Sequence, residues 1–271
     1  MSGITLSAAV RQNLLALQNT ADLMSQTQNR LATGKKVNSA LDNPGAYFTA
    51  SGLDNRAGDL SGLLDDMGQA VQTLKAADQG IKAITTLVEA AKAKANQALG
   101  TSDADAREAY AAEFDDLMAQ IEFVATDSGY NGKNLLGGDD VTVTYNEDAS
   151  STSTITAVDY TDATGDLGIA AAANDWAADA DITAAVDDIT AALTTLRTQS
   201  STFGTSLTVV QARQDFTKNL IATLQEGSAK LVLADTNEES ANLLALQTRQ
   251  SLSVTALSMA AQAEQAVLRL F

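Results

Sequence analysis

The segment Thr33-Gly34-Lys35-Lys36 sets lysine after glycine, as loops that cradle phosphates do. It lacks the upstream glycine and the following serine or threonine that complete such a loop, and the helix dipole alone favours basic residues at a helix carboxyl end. The stretch "DADAREAYAAEF", from Asp103, has acids at alternate positions, as calcium loops do, but no glycine at the sixth position to turn the chain. It reads as a solvated helix start. Asp175, Asp179, Asp181, Asp187 and Asp188 gather where a helix begins, a place that favours negative charge, and Trp176 among them reads as a packing anchor. Ser150 to Thr154 offers hydroxyls for sugar attachment, or simply a solvated hairpin tip. The chain has neither histidine nor cysteine. Thiol nucleophiles, thiolate zinc sites, disulfides and imidazole bases are therefore ruled out, and no carboxylate pair is marked by spacing. The expectation is a protein that is not an enzyme and carries no metal or cofactor.

The elements that hold these residues are long and thin. Aromatic residues make up 4% of the chain and proline occurs once, at Pro44, while alanine and small polar residues dominate. Such a composition suits long helices with narrow apolar seams. With 34 acidic and 17 basic residues the net charge is -17, which argues against a nucleic-acid partner. No window approaches about eighteen consecutive apolar residues, so no membrane insertion is expected. The start, "MSGITLSAAVRQNLLALQ", lacks the basic and continuously apolar character of a cleavable signal peptide. A chain of this kind leaves the cell, if it does, by another route.

Apolar residues recur at heptad spacing in several segments. The first stripe is Val10, Leu14, Leu17, Ala21, Met24, Gln28 and Leu31. It breaks at "ATGKKVNSALDNPGAY", where Gly34, Pro44 and Gly45 interrupt the helix and the proline pushes Asn43 extended. A second stripe runs from Leu60 through Met67, Val71, Leu74 and Ile81 to Val88. A shorter helix with Tyr110, Phe114, Leu117, Ile121 and Val124 follows, capped by Ser102 with Asp105. The longest stripe runs from Ile182 to Leu224. After a capping box at Thr236 and Glu239, the last helix carries Leu243, Leu246, Val254, Leu257, Ala261 and Leu268 on one side. Leu252, Met259, Ala263 and Leu270 lie on an adjoining side, and the sequence stays apolar to Phe271. Between the third and fourth helices, "DSGYNGKNLLGGDD" is a glycine-rich loop and "VTVTYNEDASSTSTITAVDY" alternates like a hairpin, small and mostly wet. Residues 161–179 carry no clear element. The fold class is mainly α: a long antiparallel coiled-coil-like helical bundle with a small β-hairpin region in the middle of the chain. The two terminal helices carry an apolar band wider than one partner covers, which predicts packing with further copies.

Three segments resemble a known family. "NLLALQNTADLMSQTQNRLATGKKVNSALDN" is similar to the amino-terminal region of bacterial flagellins, in which a leucine-alanine-leucine helix precedes R-L-S-S-G-L-R-I-N-S-A-K-D-D. Arg30, Gly34, Asn38, Ser39 and Asp42 carry that match, and Leu41 and Asn43-Pro44 depart from it. "EFDDLMAQIEFVATDSGYNGKNLL" resembles the stretch before the family's hairpin, with its F/Y-N-G-x-x-L-L at Tyr130, Asn131, Gly132, Leu135 and Leu136. "ADTNEESANLLALQTRQSLSVTALSMAAQAEQAVLRLF" is similar to the flagellin carboxy-terminus.

The resemblance implies a structural subunit of the flagellar filament, in which terminal helices form an inner coiled-coil tube and intermediate helices an outer rod. It implies domains at 1–33 with 236–271 (filament core), 60–140 with 180–235 (rod), and 141–179 (hairpin and polar connection), with 34–59 as a linker and turn segment. The assembly interface would be Val10, Leu14, Leu17, Met24, Leu31, Leu243, Leu246, Val254, Leu257, Leu268 and Phe271. Implied partners are other copies in a helical homopolymer, the flagellar export apparatus with an export chaperone, and the hook-associated junction and cap proteins. The implied location is extracellular. A hook-filament junction protein and a flagellin-like surface adhesin are the alternative readings, and a cytosolic coiled-coil adaptor is a third.

Overall fold

The computed structural model describes residues 8–268, without the side chains of residue 9 and residues 264–268. The described chain forms α1 (Ala8–Thr33), α2 (Pro44–Leu99), α3 (Ala104–Asp127), β1 (Val141–Thr144), β2 (Thr152–Ile155), a 3-10 turn (Ala173–Trp176), α4 (Asp179–Val232) and α5 (Thr236–Leu268). It divides into two units, one drawn from Met1–Asn55 and Thr223–Phe271, the other Arg56–Ala222.

Aspartate and asparagine side chains set the helix starts. α2 begins at Pro44, so of 34–59, expected as a linker and turn segment, 34–43 is the turn and the rest is helix. Proline at the first helical position has its φ preset and gives up an N–H that has no helical partner anyway. Asn43 caps it, its Oδ1 accepting from the N–H of Ala46 at 3.0 Å. α3 is capped by Asp103 rather than Ser102, the carboxylate accepting from the N–H of Asp105 at 3.1 Å. α5 is capped by Asp235 rather than Thr236, accepting from Asn237 at 2.9 Å and Glu238 at 3.3 Å. In both cases a carboxylate beside the expected hydroxyl adds charge to the same positive helix end.

The unit Arg56–Ala222 holds one continuous buried cluster, to which α2 gives Met67, Leu74, Ile84 and Val88, α3 Phe114 and Ile121, and α4 Ile182, Ile189 and Phe203. α4 runs antiparallel to α2. Lys92 Nζ donates to Thr190 Oγ1 at 3.0 Å, while fourteen residues earlier on α2 Asp78 accepts from Ser200 at 3.2 Å. Gly80 lets α2 approach the end of α3 so closely that a Cβ there would lie 2.2 Å from Ser128 Oγ.

β1 and β2 pair antiparallel with Val141 opposite Ile155 and Thr144 opposite Thr152. The hairpin is drier than its threonines suggest. Val143, Tyr145 and Ile155 are buried on one face, and the threonines line the other, with Thr142 and Thr154 Oγ1 atoms 3.4 Å apart. Arg213 lies over the Tyr145 ring at 5.1 Å and Arg56 pairs with Glu147, so charged groups of α4 and α2 hold the tip. The connection that showed no element by sequence buries Leu167, Ile169 and Trp176, the indole meeting Phe114 at 5.0 Å. Carboxylates of α3 hold its backbone: Glu122 accepts from Ala163 N–H at 3.1 Å and Asp115 from Ala172 N–H at 2.8 Å.

Charge is segregated between the units. Arg56–Ala222 carries 26 of the 34 acidic residues and 10 of the 17 basic ones, a net -16; the other unit carries 8 and 7, a net -1.

Candidate assembly interface

α1 and α5 pair antiparallel, with Arg30 Nη1 3.0 Å from Glu239 Oε1 and Lys36 N–H donating to Val232 O at 2.8 Å. The buried positions of α1 are Val10, Thr20 and Thr27, and the half-buried ones Asn13, Leu17, Ala21, Met24, Arg30 and Leu31. On α5, Glu239 is buried, and Leu243, Leu246, Gln250, Ser253 and Leu257 are half-buried. The structure therefore brings Leu17, Met24, Leu31, Leu243, Leu246 and Leu257 to one seam, but rotates α1 relative to the expected stripe. Asn13, Thr20 and Thr27 turn inward, Leu14 and Gln28 turn outward, and Ala21 stays half-buried at the edge. Leu14 and Val254 stand outside the seam, 39% and 52% exposed. The rotation is tolerable because threonine satisfies itself: Thr20 Oγ1 donates to Ala16 O at 2.8 Å, leaving its methyl to pack. Its consequence is that Leu15 and Leu23 on α1, and Leu244, Leu252 and Met259 on α5, are exposed. The Leu268 side chain and all of Phe271 lie outside the described residues.

The family-motif turn stitches the α1–α2 connection to the α4–α5 connection. Gly34 takes φ 68°, which its missing Cβ allows, and its carbonyl accepts from Ala234 N–H at 3.0 Å. Lys35 and Leu233 form a single antiparallel bridge. Asp42 Oδ2 accepts from the N–H groups of Asn38 and Ser39, both at 2.9 Å, and from Ser39 Oγ at 3.3 Å. Those backbone donors, Asn38 and then Ser39, hold the Asp42 carboxyl below the usual carboxylate range. Arg30 makes its ion pair with Glu239 on α5, and its charge also helps to lower the Asp42 carboxyl.

The pre-hairpin motif lies in the other unit and has a folding role. Tyr130 and Lys133 exchange backbone bonds of 2.8 and 3.0 Å around Asn131 (φ 48°) and Gly132 (φ 77°), a type I′ turn. Leu135 and Leu136 are fully buried. Between them and the turn, Asn134 was not singled out by sequence, though its Nδ2 donates to Ala125 O at 2.9 Å and Thr126 O at 3.1 Å. Its Oδ1 accepts from Leu136 N–H at 3.0 Å, so one amide closes α3 and opens the hairpin. The only sequence signal was an asparagine just past an expected helix end. Among the described residues no helix is long and apolar enough to cross a membrane.

Residues 4–140 match the bacterial flagellin N-terminal helical region, and residues 186–271 match the bacterial flagellin C-terminal helical region. The chain belongs to the bacterial flagellin family. This flagellin is 34% identical to flagellin FljM of Caulobacter vibrioides over 264 residues, covering 95% of each chain. It is 31% identical to a flagellin of Brucella melitensis over 287 residues, covering 100% of this chain and 99% of the other. It also resembles the crystal structure of Bacillus cereus flagellin at 19% identity and a TM-score of 0.49, over 56% of this chain and 88% of that one. Flagellins are structural proteins that polymerise with themselves into the flagellar filament, on the extracellular side, and this one is such a subunit rather than an enzyme. It is compact: only residues 141–185 separate its two family regions.

Proposed function

We propose that this flagellin assembles through two surfaces of α1 and α5. The first is the seam within one copy, built on Val10, Leu17, Met24 and Leu31 against Leu243, Leu246 and Leu257. The second joins copies, through Leu14, Leu15 and Leu23 of α1 and Leu244, Leu252, Val254 and Met259 of α5, continued along the sequence by Leu268 and Phe271. One observation carries this reading: both paired helices expose large apolar side chains that their pairing leaves uncovered. The charge distribution supports it. Copies meeting through a unit of net -1 feel little repulsion, whereas units of net -16 repel. Residues 1–33 and 236–271 then line the filament core, and 60–140 with 180–235 form the rod outside it. Family membership supports the remaining partners: the export apparatus with a chaperone, through which the chain is secreted, and the hook-associated junction and cap proteins.

Seeded polymerisation, read by sedimentation and electron microscopy, tests the assignment. Leu252→Asp places a charge outside the seam, sacrificing about 2 kcal/mol of burial per contact and adding desolvation of a carboxylate. It should abolish filaments while leaving the helical signal of the monomer intact. Leu257→Asp should abolish filaments and also loosen the α1–α5 pair. Normal filaments from Leu252→Asp would refute the second surface.

A further inference from the structure

Residues 161–178 lie along α3 as a strap that runs antiparallel to the helix. Charged side chains of α3 fasten its backbone at intervals of about two helical turns. Glu122 accepts from the Ala163 N–H at 3.1 Å, Asp115 accepts from the Ala172 N–H at 2.8 Å, and Arg107 Nη1 donates to Ala177 O at 3.2 Å. Ala163, Leu167, Ile169 and Trp176 are its buried anchors.

The strap ends in a turn that a chain of L-residues adopts reluctantly. Asn174 (φ 51°, ψ 35°), Asp175 (φ 49°, ψ 31°) and Trp176 (φ 55°) are all left-handed, and none is glycine. In that region the Cβ crowds the following carbonyl oxygen, so asparagine and aspartate visit it singly and bulky residues are outliers. A run of three persists only where its surroundings over-determine it. Two groups do so here. The Trp176 indole is fully buried against Phe114, with ring centroids 5.0 Å apart. Arg107 holds the far end: besides its bond to Ala177 O it pairs with Asp179 at the start of α4, and its Nε donates to Thr101 O at 2.7 Å. One guanidinium, its side chain 12% exposed, thus joins the α2–α3 connection, the left-handed turn and α4. The turn lies in 141–185, between the two family regions, so family likeness does not account for it.

We propose that the 174–176 turn is a loaded buckle and Arg107 its latch. When the guanidinium lets go, the turn relaxes to ordinary backbone, Trp176 leaves Phe114, and the strap opens from Ala177 toward Ala163. The helices α2, α3 and α4 stay formed, and the apolar face of α3 around Phe114 is uncovered. This device works within a single copy and is independent of the assembly reading above.

Hydrogen exchange of the full-length monomer, read by mass spectrometry, reports opening of the strap, and acrylamide quenching of Trp176, the single tryptophan, reports its buckle. Asp175 is exposed, so Asp175→Ala removes its carboxylate and keeps the Cβ, whereas Asp175→Gly removes both. Exchange across 163–177 should be roughly 3- to 10-fold slower in Asp175→Gly than in Asp175→Ala, the relief of one left-handed residue less the extra freedom of glycine in the open strap. Arg107→Gln should speed the same exchange roughly 10- to 100-fold and raise the quenching of Trp176, with α2 and α4 as slow as before. Should that variant fail to fold, Arg107→Lys takes its place, keeping a charge beside Asp179 without the fork that reaches several acceptors. The proposal is overturned if Asp175→Gly exchanges as fast as Asp175→Ala or faster, because the turn then stores no strain. It is equally overturned if the Arg107 variant leaves exchange across 163–177 unchanged, or speeds α2 and α4 by the same factor, because the strap then has no opening of its own.

Discussion

Adding a single methyl group at Gly80 should destabilise the unit Arg56–Ala222, although glycine is the weakest common residue inside a helix. The intrinsic gain on replacing a helical glycine with alanine is about 1 kcal/mol. At Gly80 a Cβ would sit 2.2 Å from Ser128 Oγ, 2.7 Å from Ser128 Cβ and 2.7 Å from Leu136 Cδ1. The hydroxyl can swing away only by giving up its 2.6 Å bond to Val124 O, worth about 1 kcal/mol. The Ser128 Cβ is fixed to backbone at the end of α3, and Leu136 is fully buried with nowhere to retreat. Overpacking of this kind costs about 1–3 kcal/mol. The balance is a net loss of about 1–3 kcal/mol, or a fall of roughly 2–12 °C in the midpoint of a unit this size. Gly58→Ala and Gly62→Ala are the internal controls, on the same helix and in the same unit, where a Cβ meets nothing within 4 Å. They should raise the midpoint. Differential scanning calorimetry of the monomer gives all three values. If Gly80→Ala stabilises as the controls do, the close approach of α2 to α3 is wrong.

Two further outcomes follow from particular side chains. Burial, reinforced by the Asp166 carboxylate, pushes the Tyr160 phenol up to about 12, so the folded unit keeps this proton after the unfolded chain has lost it. Its contribution is intact below pH 10 and drains away as pH rises from 10 to about 12, a slope that Tyr160→Phe should remove from alkaline unfolding curves. Asn134→Ala should cost about 1–3 kcal/mol in urea unfolding, because Ala125 O and Thr126 O lose their side-chain donor and Leu136 N–H its acceptor. A change below about 0.5 kcal/mol, the usual scatter of surface substitutions, would mean the end of α3 is closed by other groups.

The helices were legible because heptad periodicity is a local signal. Leu60, Met67, Val71, Leu74, Ile81 and Val88 recur at spacings of seven, four and three, and each is buried. The rotation of α1 was not legible. The expected and observed stripes share Val10, Leu17, Met24 and Leu31, and the choice between Leu14 and Asn13 as intervening position is made by a helix more than 200 residues away. Arg30 and Glu239 are 209 positions apart in sequence, and their pairing fixes that choice. The caps were misplaced by one residue because serine or threonine stood beside aspartate, and only geometry decides which reaches the free N–H groups. The connection at 161–179 hid its role because its anchors, Ile169 and Trp176, are isolated apolar residues without period. The groups that fasten its backbone, Asp115 and Glu122, are carboxylates on a helix already assigned for other reasons, and their spacing marks no partner.

The mixed character of the α1–α5 seam bears on why the ends would be built this way. A seam with leucine at every inward position would satisfy the two helices inside one molecule and leave little reason to recruit another. Here every second inward position of α1 is Asn13, Thr20 or Thr27, and α5 answers with Gln250 and Ser253. Such positions bury a methyl or a short stem and return much less than the roughly 1.5–3 kcal/mol of a buried leucine. What they add is register. A largely buried glutamate facing Arg30 tolerates no slip of one helix along the other, since a slip would strand Glu239 without its partner. The pairing within a copy is thereby specific but weak, while Leu15, Leu244, Leu252 and Met259 are held facing outward in defined places. A folded end whose stability is completed by its neighbours gains order by mass action as subunits add, and loses it on dilution. The acidic unit, at net -16, repels its counterparts on free copies. On this reasoning, substituting leucine for Thr20 and Thr27 together should strengthen the isolated monomer. It should also slow filament growth, because the outward faces would be drawn into tighter pairing at home.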